Sequence, residues 1–472
     1  MHNGVKTVPG DDGDTPGGDG DTPGGDGDTP GGDEDTPGGD EDTPGGNDSP
    51  GGSGETVPPL EAPKTETAVK GNTVTATTMV TAVVDSNGNA AALVSQEQVS
   101  DAISKAMEEA KKQGEGTVAR VEFKVETPQD ATVATTTEAS LPEGAVNQTL
   151  EAGIGSLTIS TPVASITFDT TSLSSLLREV TGELKITASK LETTSLAPET
   201  KRVVGDRPVF EFSVTSGDKT ISQFGGEVTV SVPYTPKEDE DINAIVIYYI
   251  NDSGELEVVS NCLYDSATGR ISFSTRHFSQ YAVGYNKVSF KDVAANAWYG
   301  KAVGFIAARE ITTGTGGSNF SPEAKLTRGQ FIVMLMRANG IAPDTSLKDN
   351  FADAGNTYYT GHLASAKRLS ISNGVGNNMF APENEITRQE MFTLLYNALK
   401  VIRRLPEGTA GKPLSSFADA ENVASWAKEA MTLLVETGTI SGNRGKLSPT
   451  NTTTRAEMAQ VLYNLLSKYS GK

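Results

Sequence analysis

Three related stretches decide the fold of the C-terminal third of this chain: Thr327-Arg-Gly-Gln330, Thr387-Arg-Gln-Glu390 and Thr454-Arg-Ala-Glu457. Each places a threonine three residues before Gln or Glu, the signature of a capping box at a helix N-terminus. An apolar stripe with helical spacing follows each stretch. We therefore predict three amphipathic helices that begin at these positions.

Each stretch closes a longer repeat. A copy opens with Phe-x-Asp, continues to an aromatic residue, and has a glycine sixteen residues after that aromatic and a proline six residues before the arginine. The spacing predicts a helix, a loop and a second helix in each copy, with the glycine as the left-handed stop of the first helix. One such hairpin cannot bury its stripe, so we expect the three copies to share one core. Their predicted bounds are 287–345, 346–410 and 411–472.

The arginine inside each capping box needs an explanation, because the helix dipole disfavours a cation in the first helical turn. One explanation is an internal ion pair with the opening aspartate of a copy. The other is an anion site, formed by the arginine and free amide groups at the helix N-terminus. The sequence leaves both open.

The same residues resemble the S-layer homology (SLH) domain family, over about residues 287 to 470. Copy one departs from the family pattern at Gly329 and Gln330, and copy two at Gln389 and Tyr358. The resemblance implies an all-α bundle with threefold pseudo-symmetry, whose grooves hold an anionic, often pyruvylated, secondary cell-wall polysaccharide attached to peptidoglycan. The polymer-binding residues predicted from it are Arg328, Arg388, Arg455, Trp298, Tyr358, Trp426, Gly314, Gly374, Gly442, Asp292, Asp353 and Asp419.

The middle of the chain, residues 56–286, is predicted to be β-rich and sandwich-like (α+β), in one or two modules. Thr- and Val-rich runs alternate in polarity, and Asn87-Gly88 is typical of a hairpin turn. Ser95, with Gln98 three residues later, predicts a capped helix that ends at Gly114. Strands are expected in twelve runs, the first beginning at Val74 and the last ending at Tyr285.

No nucleophile elbow, zinc-binding HExxH, phosphate loop or paired Cys-x-x-Cys occurs in this middle region. His277 is the one candidate general base, and its alternative is a histidine packed at the end of a strand. We therefore expect no catalytic residues, no metal, no cofactor and no enzyme activity. The alternative function is an anchored extracellular enzyme that acts on glycans through residues 56–286.

Residues 1–55 repeat Asp-x-Asp-Thr-Pro-Gly-Gly and carry a net charge of −14. The repeat contains no hydrophobic residue to bury, so the segment is predicted to be a disordered linker, with calcium binding as the alternative. The chain as a whole has a net charge of −22, which argues against nucleic acid, whereas residues from 287 onward carry +6. No signal peptide or membrane span is visible, so the expected location, the bacterial cell wall, assumes a processed or missing N-terminus. Self-association into a lattice is a further partner prediction.

Overall fold

The structure, a computed structural model, describes residues 64–129, 131–294, 296–408 and 410–469. The predicted acidic linker at 1–55 lies outside these residues. Among the described residues, no helix is long and apolar enough to cross a membrane.

A β-rich region comes first. Its strands are β1 (Thr65–Lys70), β2 (Thr73–Thr81), β3 (Val83–Val84), β4 (Asn89–Leu93), β5 (Val118–Glu126), β6 (Thr136–Leu141), β7 (Ser156–Ser160), β8 (Ser165–Asp169), β9 (Leu184–Leu191), β10 (Val209–Ser216), β11 (Lys219–Thr220), β12 (Gln223–Pro233), β13 (Ile245–Ile250), β14 (Leu256–Val258), β15 (Leu263–Asp265), β16 (Arg270–His277) and β17 (Gln280–Tyr285). Its helices are α1 (Gln96–Gln113), α2 (Ala145–Glu151), α3 (Thr170–Leu177) and α4 (Pro198–Val204).

The strands form two sheets that share one hydrophobic core. One sheet has the order β1-β2-β5-β7-β8-β12-β16-β15, and the other β14-β13-β17-β10-β9-β6-β4-β3, with β11 paired to β10. The rings of Phe273 on β16 and Tyr281 on β17 lie 4.7 Å apart, which joins the two sheets through their inner faces. The sandwich-like α+β prediction is confirmed.

Local sequence signals account for much of this region. The hairpin at Asn87-Gly88 joins β3 to β4, and Gly88 takes a positive φ of 80°. Ser95 and Gln98 form both hydrogen bonds of a capping box, and α1 ends at Gly114 as predicted. The sequence analysis missed β1, β6, β11 and β15, as well as α2 to α4. β6 reads Thr-Thr-Glu-Ala-Ser-Leu and α3 reads Thr-Thr-Ser-Leu-Ser-Ser-Leu-Leu, so neither shows clear polar–apolar periodicity.

A helical region follows, with two helices in each copy. The first helices are α5 (Gly300–Ala308), α7 (Thr360–Arg368) and α9 (Lys428–Glu436), and the second are α6 (Arg328–Ala338), α8 (Arg388–Val401) and α10 (Arg455–Tyr469). Their apolar side chains form a single core cluster, which includes Phe331, Met391 and Met458. The predicted shared all-α core is confirmed.

The three copies meet in a closed ring of backbone hydrogen bonds. Leu326 N donates to Thr453 O (3.0 Å), Thr453 N to Ile386 O (3.1 Å), and Ile386 N to Leu326 O (2.9 Å). Each residue lies just before the second helix of its copy, so the ring has the threefold pseudo-symmetry expected from the repeats.

The prediction for the end of the first helices was wrong. The left-handed residues after α5, α7 and α9 are Glu310, Ser370 and Gly438, with φ of 53°, 56° and 71°. Gly314, Gly374 and Gly442 also have positive φ, but they lie four residues further on, in the loops. The sequence reasoning favoured these glycines because glycine tolerates positive φ best, whereas two copies use other residues there.

Candidate functional site

The N-termini of α6, α8 and α10 carry the three predicted capping boxes. In copy two, Glu390 N donates to Thr387 Oγ1 (3.4 Å), and Thr387 N donates back to Glu390 Oε2 (2.8 Å). In copy three, Glu457 N donates to Thr454 Oγ1 (3.2 Å), and Thr454 N donates back to Glu457 Oε2 (2.9 Å). Copy one uses Gln330 in place of Glu, and its box is also closed.

The next amides of these helices are bonded to a loop of another copy. In α6, Arg328 N donates to Asn384 O (2.9 Å) and Gly329 N donates to Pro382 O (2.8 Å). In the same way, the first two amides of α8 donate to carbonyls in the loop of copy three, and those of α10 donate to carbonyls in the loop of copy one. The prediction of free N-terminal amides for an anion was therefore wrong, because neighbouring carbonyls already accept from them.

The arginine side chains follow the same cyclic pattern. Each Nε donates to a loop carbonyl of the copy that receives its helix. These bonds run from Arg328 to Phe380 (2.8 Å), from Arg388 to Leu447 (2.8 Å) and from Arg455 to Phe320 (2.7 Å). Arg328 and Arg455 are buried, with 5% and 4% of their surface exposed. Burial lowers the pKa of all three arginines from its ordinary value.

One of the two explanations for these arginines, an ion pair with an opening aspartate, is not found among the described residues. Asp292 instead accepts from the amides of Phe320 (2.8 Å) and Ser321 (2.7 Å), and Asp353 and Asp419 bind their own loops at the same distances. The arginines pair with capping-box glutamates of the next copy: Arg328 Nη1 lies 2.7 Å from Glu390 Oε1, and Arg388 Nη1 lies 3.7 Å from Glu457 Oε1.

The three loop glycines are needed where the loop turns under the opening phenylalanine. A Cβ on Gly374 would lie 2.2 Å from Met379 O and 2.8 Å from the ring of Phe351. A Cβ on Gly314 or Gly442 would meet its nearest neighbour at 2.4 or 2.7 Å. Packing and positive φ therefore account for these glycines. Their predicted contact with a polymer stays a prediction.

The three aromatic residues lie just before the first helices and face solvent. Trp298 and Tyr358 are each 62% exposed and Trp426 is 55% exposed. The sequence placed them on the first helix, but α5 begins at Gly300, α7 at Thr360 and α9 at Lys428. Large aromatic rings held in solvent are available to stack on a ligand.

One groove brings parts of all three copies together. It has a volume of about 590 Å³ and contains Trp298 of copy one, Arg388 of copy two and the Gly442 loop of copy three. Three cations face it, against the carboxylate of Glu457. The sequence analysis missed several polar residues of this lining, although the residues from 287 onward carry a net positive charge: Lys325, Lys446, Asn443, Asn451, Gln460 and Asn464.

His277, the candidate general base of the β-rich region, is a half-buried residue at the end of β16. The ring of His277 packs against Tyr249 at 4.8 Å, and burial lowers the pKa of its imidazole. Cys262 is a buried free thiol, and within the described ranges no group of three His, Cys, Asp or Glu residues is placed to hold a metal ion.

Comparison with known proteins agrees with the repeat structure. The model of the S-layer homology domain matches residues 289–332, 350–392 and 416–459. Each match lies within one of the three predicted copies.

The related proteins match only part of this chain. An amylopullulanase of Thermoanaerobacterium thermosulfurigenes is 28% identical over 258 residues, which are 53% of this chain and 14% of that protein. S-layer protein sap of Bacillus anthracis is 30% identical over 174 residues, 37% of this chain and 21% of sap. Exoglucanase XynX of Acetivibrio thermocellus is 29% identical over 183 residues, 38% of this chain and 16% of XynX. The chain thus spans a fifth or less of the length of most of these relatives.

Proposed function

We propose that this chain, which carries three S-layer homology domains in its C-terminal region, attaches a bacterial surface protein to the cell wall without a covalent bond. Its ligand in this proposal is an anionic secondary cell-wall polysaccharide that carries pyruvate ketals. The observation that carries the proposal is the groove at Arg388, to which all three copies contribute side chains.

The chemistry of this groove fits an acidic polysaccharide. Lys325, Arg388 and Lys446 attract carboxylate groups, and arginine can bind a carboxylate through two parallel hydrogen bonds. Side-chain amides such as those of Asn451 and Gln460 can bond to sugar hydroxyls. The exposed ring of Trp298 offers an apolar face to a sugar ring.

We propose that the β-rich region has a noncatalytic role, as part of an S-layer or adhesin that projects from the wall. The absence of catalytic motifs in the sequence of residues 56–286 supports this role.

The second candidate is an anchored enzyme that acts on glycans. It is favoured by the match to the amylopullulanase, whose 258 residues extend beyond the three domains. Incubation of the full chain with starch, xylan and cellulose, followed by a reducing-sugar assay, separates the two. Release of sugar that is lost on mutation of the β-rich region would overturn the noncatalytic role.

Sedimentation with purified sacculi tests the anchoring proposal. We expect the full chain to co-sediment with sacculi of Bacillus anthracis, the organism of the matched protein sap. Hydrofluoric acid extraction, which removes the secondary polymer, should abolish binding. Equal binding to extracted sacculi would show that peptidoglycan, not the polysaccharide, is the ligand.

A further inference from the structure

The three capping-box arginines differ in the partner of one atom, Nη1. Nη1 of Arg328 is paired with Glu390 and Nη1 of Arg388 with Glu457, but Arg455 makes no ion pair with any residue that the structure describes. By the cyclic order of the copies, the position equivalent to Glu390 and Glu457 is Gln330 of copy one. An amide stands where the other two copies have a carboxylate.

The backbone N and Nε bonds of Arg455 repeat those of the other two arginines, and its contact with a loop phenylalanine repeats that of Arg328. Its backbone N donates to Ala324 O (3.0 Å), its Nε to Phe320 O (2.7 Å), and its guanidinium lies 4.8 Å from the Phe320 ring centre. Asp292 holds the same loop, as Asp353 and Asp419 hold theirs. The capping-box carboxylate of the next copy is therefore a partner that Arg328 and Arg388 have and that Arg455 lacks.

This difference leaves a buried cation with unused bonding capacity. Arg455 is 4% exposed, yet Nη1 forms no hydrogen bond to a described residue and is not shut off from solvent. Nη2 has only a long contact of 3.4 Å, to Thr312 Oγ1. The carboxylate of Asp292 acts on Arg455 electrostatically, but it forms no ion pair with it and is bonded to the amides of Phe320 and Ser321. A buried charge so weakly compensated is costly, so an incoming anion is favoured there. At Arg328, an anion would first have to displace Glu390.

We propose that the surface beside Arg455, Thr312 and Tyr358 is the principal anion site of this chain, and that Gln330 keeps it available. The ligand is a single carboxylate carried by a sugar, such as a pyruvate ketal, with the exposed ring of Tyr358 beside it. The inference rests on the proposed function and goes further, because it makes the three grooves unequal. The Arg388 groove is well formed, but Glu457 already offsets its arginine.

Replacing Arg455 itself is a poor test, since its loss would also remove the bond to Phe320 O. Gln330→Glu is sharper, because it supplies the missing internal partner. Glutamate at this helix position also strengthens the capping box and the interaction with the helix dipole. The variant should therefore melt at the same temperature as the native chain or higher, while its affinity for the anion falls.

Isothermal titration of the full chain with polysaccharide released from Bacillus anthracis sacculi measures this affinity. We expect Gln330→Glu to weaken binding by about tenfold or more, the range for a lost charge-assisted hydrogen bond. Glu390→Gln and Glu457→Gln are matched controls, since each keeps a capping amide and frees an arginine. They should leave the affinity unchanged or raise it.

Two outcomes have distinct meanings. If the native chain binds and Gln330→Glu binds equally well, the special role of Arg455 is wrong while the anchoring function stands. If the native chain does not bind the polysaccharide, the proposed function fails as well. Polysaccharide freed of pyruvate by mild acid should bind all the proteins weakly and equally. Retained discrimination there would show that the carboxylate is not the group recognised.

Discussion

Arg309 Nη1 donates a 2.8 Å hydrogen bond to the carbonyl of Asn243, which ties the end of α5 to the β-rich region. Its other nitrogens reach the carbonyls of Cys262 (2.8 Å) and Ile245 (3.2 Å), and its guanidinium lies 3.6 Å from the Phe305 ring centre. The side chain is 0% exposed and has no carboxylate partner among the described residues. The first repeat is therefore joined to the β-rich region by carbonyl dipoles around one buried cation.

Arg309→Ala should destabilise the chain by about 3 to 5 kcal/mol, because several buried carbonyls lose their donor at once. Both tryptophans, Trp298 and Trp426, lie in the helical region, so their fluorescence reports its unfolding. We expect urea unfolding curves from fluorescence and from circular dichroism to coincide in the native chain and to separate in the variant.

Arg202→Ala is the matched control for this prediction. Arg202 pairs with Glu199 on the surface, where both side chains are more than three-quarters exposed. Such a pair contributes about 1 kcal/mol or less. An Arg309→Ala midpoint as close to native as that of Arg202→Ala would contradict the role given to Arg309.

The buried side chain of His362 should make the protein less stable in mild acid. It is 6% exposed, its Nδ1 has no hydrogen-bond partner, and burial lowers the pKa of its imidazole from 6.5 to about 4. As the pH falls, the imidazole of His362 is therefore protonated in the unfolded chain before it is protonated in the folded chain. The associated stability is complete above pH 6.5 and is lost as the pH falls towards 4. The loss should reach about 3 kcal/mol.

The measurement is the free energy of unfolding between pH 7.5 and 4, compared between the native chain and His362→Gln. Carboxylates titrate in both proteins, so their contribution cancels in the difference. His277→Gln provides the second comparison, since burial lowers the pKa of that imidazole in the same direction. Parallel pH profiles for the native chain and His362→Gln would show that His362 is not the titrating group.

The sequence predicted those features of the fold that depend on near neighbours. Each capping box is set within four residues, so Thr387 and Glu390 could be read directly. The arginine contacts could not be read in this way, because Arg328 and Glu390 are 62 residues apart and Arg455 and Phe320 are 135 apart. Their pairing depends on how the copies close into a ring. The alternative of an arginine paired with an aspartate such as Asp353 failed for the same reason, because the loop amides that Asp353 accepts from are 27 and 28 residues away.

The loop of copy two allows close packing to be separated from backbone strain. Gly374 and Gly376 have positive φ of 77° and 107°, but an added Cβ would lie 2.2 Å from Met379 O at Gly374 and meet nothing within 4 Å at Gly376. Gly376→Ala should cost about 1 to 2 kcal/mol through strain alone. Gly374→Ala should cost clearly more, as measured by thermal melting. Equal losses of stability in the two variants would mean that the loop can shift to make room for the Cβ at Gly374 without an energetic cost.

A substitution at Asp419 can distinguish whether the opening aspartates hold the loops or contact the ligand. Burial raises the pKa of its carboxyl, but the amides of Leu447 and Ser448 outweigh burial and hold the pKa below 3.8. Since Leu447 and Ser448 line the groove at Arg388, the carboxylate shapes that groove without facing it. Asp419→Asn keeps one acceptor and should lose about 1 to 3 kcal/mol of stability.

The same variant should bind the wall polysaccharide normally at 10 °C, where the loop is still folded, and lose binding only as it approaches its lowered melting temperature. In the native chain, the stability due to Asp419 is fully present above the ordinary carboxyl pKa of 3.8 and is lost as the pH falls through its lower folded value. Asp419→Asn should not show that part of the acid loss. If Asp419→Asn instead binds tenfold more weakly at 10 °C with an unchanged melting temperature, Asp419 contacts the polymer directly.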